Sequence, residues 1–324
     1  MSSKTTTAPD AGRPASAAET NPGSPAERGR LQRLTKQDKL VLVVLIGIPT
    51  LLHIALIWVP TIGSAILSFG NLGPLSSVTD VEWVGLQNYR EIFSIYPPFW
   101  PAVQHNIIWL AFFLLVPTTL GLLLAYLIDK ELKGSRIYQS AIFLPVVLSL
   151  ALVGFIWELI YKQEGLLNGI IGFFASDFNR DWLSDSGNLY AVLIAASWRH
   201  VGYVMILFLA GLKGVDPALR EAAALDGASE WSVFRHVVFP SLAPVNIVVL
   251  VVTIIESLRA FDIVFVINGG RNGLELLSVL VTQNVIGEAS RIGYGSALAV
   301  ILLVISMVVI LPYLYKTFRE DLVR

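Results

Sequence analysis

Apolar residues come in long blocks rather than in strict alternation, which is the pattern of buried or membrane helices and not of half-buried strands. Six blocks stand out, at about 40–69, 104–128, 137–161, 189–212, 244–266 and 292–315. Each is long enough to cross a hydrocarbon layer about 30 Å thick, for which about 20 helical residues suffice. Lipid offers the backbone no hydrogen-bond partners, so six helical spans are predicted. Pro49 and Pro60 in the first block predict kinks, and the second block contains Pro117. Residues 1–38 are rich in Ser, Thr, Ala, Pro and Gly, and read as a disordered tail. They are too long and too polar ahead of the first apolar block for an ordinary cleaved signal peptide. Between blocks one and two, Trp83–Tyr89 leads into either an interfacial helix, with Leu86, Tyr89 and Phe93 at helical spacing, or a packed surface loop. A tight polar turn is expected at 129–136, a loop with Gly165, Asn168 and a polar Asp-Asn-Arg-Asp run at 162–188, and an amphipathic piece at 276–286 within the loop 267–291.

The stretch 213–243 differs in kind. Asp216-Pro217 supplies an N-cap followed by proline at the first helical position. Ala218 to Asp226 is rich in helix formers, and its alanines let another surface approach closely. Gly227 suits the left-handed position that ends a helix. Ser229 can cap a second short helix in which Trp231, Phe234 and Val238 share one face, with Pro240 expected to stop it. The product is a helix-turn-helix outside the bilayer; on the residues alone, an ordinary connecting loop is the competing reading.

Composition agrees with a membrane protein: 55% of the 324 residues are hydrophobic and 15% charged. A net charge of −1 argues against a nucleic-acid partner. The absence of cysteine removes disulfides and thiolate metal sites, and His53, His105, His200 and His236 are scattered. No phosphate loop, His-Glu-x-x-His or Gly-x-Ser-x-Gly is present, so the chain carries no recognisable engine of its own. Lysine and arginine set the orientation. Sixteen of the 23 fall on the side of the termini: seven before the first block, and three each in 129–136, 213–244 and the C-terminal tail. Five lie in the opposite loops and two, Arg199 and Arg259, inside blocks. The bias predicts both termini and the 213–243 stretch in the cytoplasm.

Glu221-Ala222-Ala223, three residues, Gly227, nine residues, then Val237 and Phe239-Pro240 resembles the EAA loop of ABC-importer permeases. Phe239 stands where that family usually has leucine. Weaker echoes appear in family order: Trp83–Tyr89; Phe143-Leu144-Pro145 with Trp157, Gly165 and Asn168; Ala210-Gly211-Leu212; Phe261-Asp262 with Gly269-Gly270; and Tyr294-Gly295-Ser296-Ala297. Together they cover about residues 40–320 and are similar to the maltose and glycerol-3-phosphate branch, the carbohydrate importers. The resemblance implies an all-α polytopic protein with the six-helix type I importer permease fold. It also implies a bacterial or archaeal cytoplasmic membrane. The expected role is ATP-driven alternating-access import of a carbohydrate, an oligosaccharide or glycoside. Glu221, Ala222, Ala223, Asp226, Gly227 and Pro240 would then couple to an ATPase. Implied partners are a second, homologous permease subunit in a heterodimer, two ATPase subunits at this loop, and an extracytoplasmic solute-binding protein. No cofactor is expected on this chain and no hydrolysis by it; ATP and Mg belong to the ATPase.

Ionisable residues at bilayer depth are costly and therefore functional candidates. Arg199, His200 and Tyr203 in the fourth block, and Thr253, Glu256 and Arg259 in the fifth, could supply the planar donors, acceptors and aromatic ring that a sugar needs. In the family, substrate binds on the spans flanking the coupling loop; only that location carries over. The structural alternative is that Glu256–Arg259 and Arg259–Asp262 pair within their own helix, and that Glu158 is structural too. Trp58, Trp100, Trp109, Trp182 and Trp198 read as interface anchors or packing residues. Competing functions are an ABC importer for a polyamine, phosphate or other small polar solute, and an ion-coupled secondary transporter using Glu256 and Asp262. No inverted repeat supports the latter, and no catalytic constellation supports an intramembrane enzyme.

Overall fold

The computed structural model describes residues 35–73, 80–131, 133–175, 178–183, 188–287 and 291–322. The chain divides into two compact units, up to Ile57 and from Trp58 onward. In the first, helix α1 (Lys36–His53) starts inside the segment expected to be tail. A reciprocal capping box starts it there: Asp38 N donates to Thr35 Oγ1 at 3.2 Å and Thr35 N to Asp38 Oδ2 at 2.9 Å. The rest of the expected tail lies outside the described residues.

Prolines are accommodated rather than obeyed. Pro49 sits inside α1 without ending it. Before Pro60, the chain makes a π-helical turn, Ile54–Trp58, and then resumes as α2 (Val59–Leu67). The same device recurs at Pro240, where the π-turn Phe234–Val238 precedes a short helix, Phe239–Ser241. Proline clashes with the carbonyl four residues back, which is Leu56 in one case and His236 in the other. Both lie within the widened turn. Pro240 therefore does not stop the second helix; the break falls at Leu242.

The second unit is helical apart from a two-residue antiparallel pairing of β1 (Gly70–Asn71) with β2 (Glu82–Trp83), in register Gly70 to Trp83. Helix α3 (Gln87–Ser94) follows, so the segment is helical rather than a loop; its buried residues are Asn88 and Ile92, while Leu86 and Phe93 stay exposed. Asn88 Nδ2 donates to the carbonyls of Ser68 and Gly70, both at 2.9 Å, which ties this loop to the end of α2. Helices α4 (Phe99–Leu115) and α5 (Pro117–Asp129) form one candidate span with its break at Val116, before Pro117.

Two predicted spans are not continuous. The third breaks into α6 (Ser135–Val147) and α7 (Leu150–Tyr161), and Ser135–Val147 meets Leu150–Phe174 at 102°. Leu148 is extended, and Ser149 Oγ accepts from Leu152 N at 3.2 Å to start the new helix. The fifth breaks into α13 (Ala243–Leu258) and α14 (Asp262–Asn268). Ala260, in the gap, gives its carbonyl to Ser278 Oγ. The loop 162–188 holds the apolar helix α8 (Leu166–Phe174). Asn168 folds that loop back, donating to Arg180 O at 2.8 Å and accepting from Trp182 Nε1 at 2.9 Å. Helix α15 (Leu277–Val285) occupies the amphipathic piece, and α16 (Ile292–Leu322) closes the chain. Among the described residues, four helices are long and apolar enough to cross a membrane, and up to six crossings result if each of two bent pairs, Ser135–Val147 with Leu150–Phe174 and Glu230–Ser241 with Ala243–Asn268, counts as one.

Helix α9 (Asn188–Lys213) is the axis of the unit, packing on α4, α5, α6, α7, α13 and α14. Its small residues permit this: Ala191, Ala195, Ala196, Ser197 and Gly202 are all buried. At Gly121 a Cβ would lie 2.6 Å from Val204 Cγ1, so α5 and α9 are in backbone-level contact there.

Candidate functional site

The segment after α9 folds as its residues dictate. Asp216 Oδ1 accepts from Ala218 N at 2.9 Å, Pro217 takes the first turn, and α10 runs over Pro217–Leu225. It ends in a Schellman closure: Ala228 N donates to Ala223 O at 3.1 Å and Gly227 N to Ala224 O at 3.0 Å, with Gly227 at φ +79°. Ser229 Oγ then accepts from Ser232 N at 3.3 Å and opens α11 (Glu230–Val233). Counting the three-residue helix Phe239–Ser241 as α12, the segment ends at Leu242. On its inner face Phe234 packs on Tyr126 of α5, ring centroids 4.8 Å apart, and Val238 is buried. Trp231 stacks on Phe234 at 5.7 Å but stays largely exposed. The outer face presents Glu221, Ala222, Ala224, Asp226 and Gly227, with Leu225 89% exposed; Ala223 is half-buried. Glu221 and Asp226 make no ion pair among the described residues. An exposed leucine and tryptophan thus stand beside small residues and carboxylates that make no ion pair among the described residues.

What holds this segment to the bundle escaped the sequence reading. Arg220 donates through Nη1 to Asp129 Oδ2 at 2.8 Å and through Nη2 to Leu212 O at 3.0 Å. Lys213 Nζ sits 3.3 Å from Asp129 Oδ1 and 3.1 Å from Glu131 Oε1. The Asp129 side chain is 5% exposed. Lys130 donates to Glu230 at 2.7 Å and lies over the Tyr126 ring; the hydrogen bond to Glu230 raises its pKa above the usual lysine value. Exposed pairs of that last kind are weakened by solvent and salt, whereas stripping a buried carboxylate of its partner costs about 3–5 kcal/mol. The only sequence signal was opposite charge at the ends of neighbouring apolar blocks.

The intramembrane candidates converge. Arg199, His200, Glu256 and Arg259 line one cavity of about 30 Å³ together with Trp109, Phe113 and Phe261. Thr253 Oγ1 lies 3.1 Å from His200 Nε2, and Tyr203 is one turn from Arg199 with its ring 6.3 Å from that of His200. Arg199 Nε and Trp109 Nε1 are buried and have no hydrogen-bond partner among the described residues. The alternative pairing of Arg259 with Glu256 and Asp262 is absent among the described residues: no salt bridge joins these three. The break at 259–261 takes Asp262 onto a separate helix. A cavity of this size holds about one water molecule, not a sugar. Room for a larger solute lies on the other side of Arg259, in an open crevice of about 560 Å³ that Phe261, Asp262, Ser278 and Ser306 also line. The sequence reading missed Ser278 and Ser306; isolated serines in apolar helices carry no pattern.

A family described as "Binding-protein-dependent transport system inner membrane component" matches residues 26–323. The chain is 32% identical over 261 residues to the arabinooligosaccharides transport system permease protein AraP of Bacillus subtilis (strain 168), covering 77% of this chain and 80% of that one. It is 28% identical over 290 residues to the trehalose/maltose transport system permease protein MalF of Thermococcus litoralis, covering 88% and 96%. Its fold is similar to a chain in the crystal structure of a bacterial alginate ABC transporter in complex with alginate pentasaccharide-bound periplasmic protein. There the TM-score is 0.75 at 20% identity, covering 88% of this chain and 96% of that one.

Proposed function

The chain belongs to the family of inner membrane components of binding-protein-dependent transport systems, and from that premise we propose that it is the permease subunit of an ABC importer for an oligosaccharide or glycoside. The observation that carries the coupling half of this reading is the docking surface of α10: Glu221, Leu225 and Asp226 exposed on a helix locked at both ends. It supports contact with an ATPase subunit that binds ATP and Mg, this chain contributing no hydrolysis. The cargo half draws on relatives named for arabinooligosaccharides and for trehalose/maltose. Planar polar groups and an aromatic ring lining the crevice beside Arg259 agree with it. Six crossings follow when each bent pair counts as one. The lysine and arginine bias then puts both termini and α10 in the cytoplasm. A second, homologous permease subunit and an extracytoplasmic binding protein complete the assembly.

Closure of the ATPases would move the 217–241 segment and tip the bundle between inward-open and outward-open states, binding energy favouring one state over the other. Arg199, His200, Tyr203, Thr253, Glu256 and Arg259 form the closed polar waist of that path, and the crevice beyond Arg259 takes the sugar. The test is affinity purification in mild detergent with mass spectrometry, followed by uptake into proteoliposomes of maltotriose, trehalose and arabinotriose against putrescine and phosphate. Co-purification of an ATPase, a second permease and a binding protein, with ATP-dependent uptake of a sugar, is expected. A chain that comes down alone and moves solute on an ion gradient would overturn the proposal.

A further inference from the structure

We infer that Asp129, Lys213 and Arg220 form the joint that transmits movement of the 217–241 segment to the membrane bundle, a role that rests on the coupling reading above. The covalent link cannot do this alone. Helix α9 ends at Lys213, and Gly214 to Asp216 is non-helical before α10 begins. A push on α10 would be absorbed by that connection unless a lateral contact carried it. Arg220 is that contact. Its planar group reaches two helix ends at once, Asp129 at the end of α5 and the Leu212 carbonyl at the end of α9. A two-pronged guanidinium fixes orientation as well as distance, which a lysine ammonium does not.

Asp129 is built for the receiving side. It is 5% exposed, and its two oxygens face separate cations, Lys213 and Arg220. The pairs on exposed carboxylates, Lys213–Glu131 and Lys130–Glu230, are open to solvent and salt, so they carry little load. Arg220 also immediately precedes Glu221, whose exposed side chain belongs to the docking face. One turn of α10 therefore holds the outward contact and the inward anchor. Beyond the joint, α5 and α9 meet at Gly121 and Val204 with no space for a side chain, so they move as a pair. Helix α9 carries Arg199 and His200 into the intramembrane cluster, where His200 meets Thr253 of α13. A displacement at the docking face thus has a continuous packed route to the waist of the path.

The complete complex in proteoliposomes tests this, with ATP hydrolysis and uptake of maltotriose, trehalose and arabinotriose measured on the same vesicles. In Asp129→Asn and Arg220→Lys, hydrolysis persists while uptake falls by about tenfold, the size of a typical coupling loss. The exchange Asp129→Arg with Arg220→Asp restores part of the uptake. Wild-type uptake in both single variants, or hydrolysis and uptake falling in equal proportion in an assembled complex, overturns the joint. Because the natural chain has no cysteine, spin labels at Ala218→Cys and Leu127→Cys give a second reading that needs no transported solute. Their separation stays the same with and without ATP if α10 and α5 move as one body; a change of several ångströms overturns the proposal. Glu221→Lys separates the two levels of inference. Normal uptake in that variant removes the coupling reading itself, while its loss beside a normal Asp129→Asn removes only the joint.

Discussion

Among the described residues, Arg199 Nε and Trp109 Nε1 are both buried without partners beside a cavity that fits about one water. Unpaired polar atoms of this kind are costly and persist where function needs them. Glu256→Gln and Arg199→Met each remove one charge from the cluster; sugar uptake should fall by about tenfold or more, since a charged hydrogen bond is worth about 1.5–3 kcal/mol. Uptake by proteoliposomes at matched protein level checks this, and unchanged rates in both would remove these residues from the path. Asn168 offers a contrast. Its amide does structural work, holding the 162–183 loop through Arg180 and Trp182. Asn168→Ala should therefore lower stability by about 1–3 kcal/mol, read as a lower Tm of the solubilised complex, with the uptake of the folded fraction little changed.

Among the elements, α10 was the most legible. Its cap, its proline, its alanines and its closing glycine are local signals, and local hydrogen bonds satisfy them. Gly227 sits at φ +79° with nothing within 4 Å of where a Cβ would stand, so only the backbone penalises a side chain there. Gly227→Ala should cost about 1–2 kcal/mol and reduce uptake in part. Gly227→Pro, whose ring cannot adopt positive φ and which loses the bond to Ala224 O, should abolish it. Uptake and complex assembly measured side by side distinguish lost coupling from lost folding. The broken spans were not legible. An apolar block long enough to cross says nothing of where a cap such as Ser149, or a remote serine such as Ser278, will take over a backbone group and bend it. Pro240 misled for a related reason: a widened turn upstream lets the helix continue through it.

In the molecule as a whole, the packing of α5 on α9 is the tightest constraint. Gly121→Leu would drive a side chain into Val204 and the backbone at Met205, where overpacking costs about 1–3 kcal/mol or more. The expected outcome is a low yield of assembled complex, measured by size-exclusion chromatography after expression. Gly169→Ala, at a helical position where a Cβ meets nothing, should leave the yield unchanged.

The sequence by itself determined the helical membrane class, the order of the apolar blocks, and the α10 motif with its caps. These depend on hydropathy and on bonds between residues a few positions apart. It also offered Arg199, His200, Glu256 and Arg259 as candidates, because an ionisable residue in an apolar block is conspicuous wherever the block packs. Only the tertiary structure decided that these four share one small cavity, and that a larger open crevice lies beside Arg259. It alone joined Asp129 to Arg220 across 91 positions of chain. Such contacts depend on which helix faces which, and periodicity along one helix does not encode the neighbour it will meet.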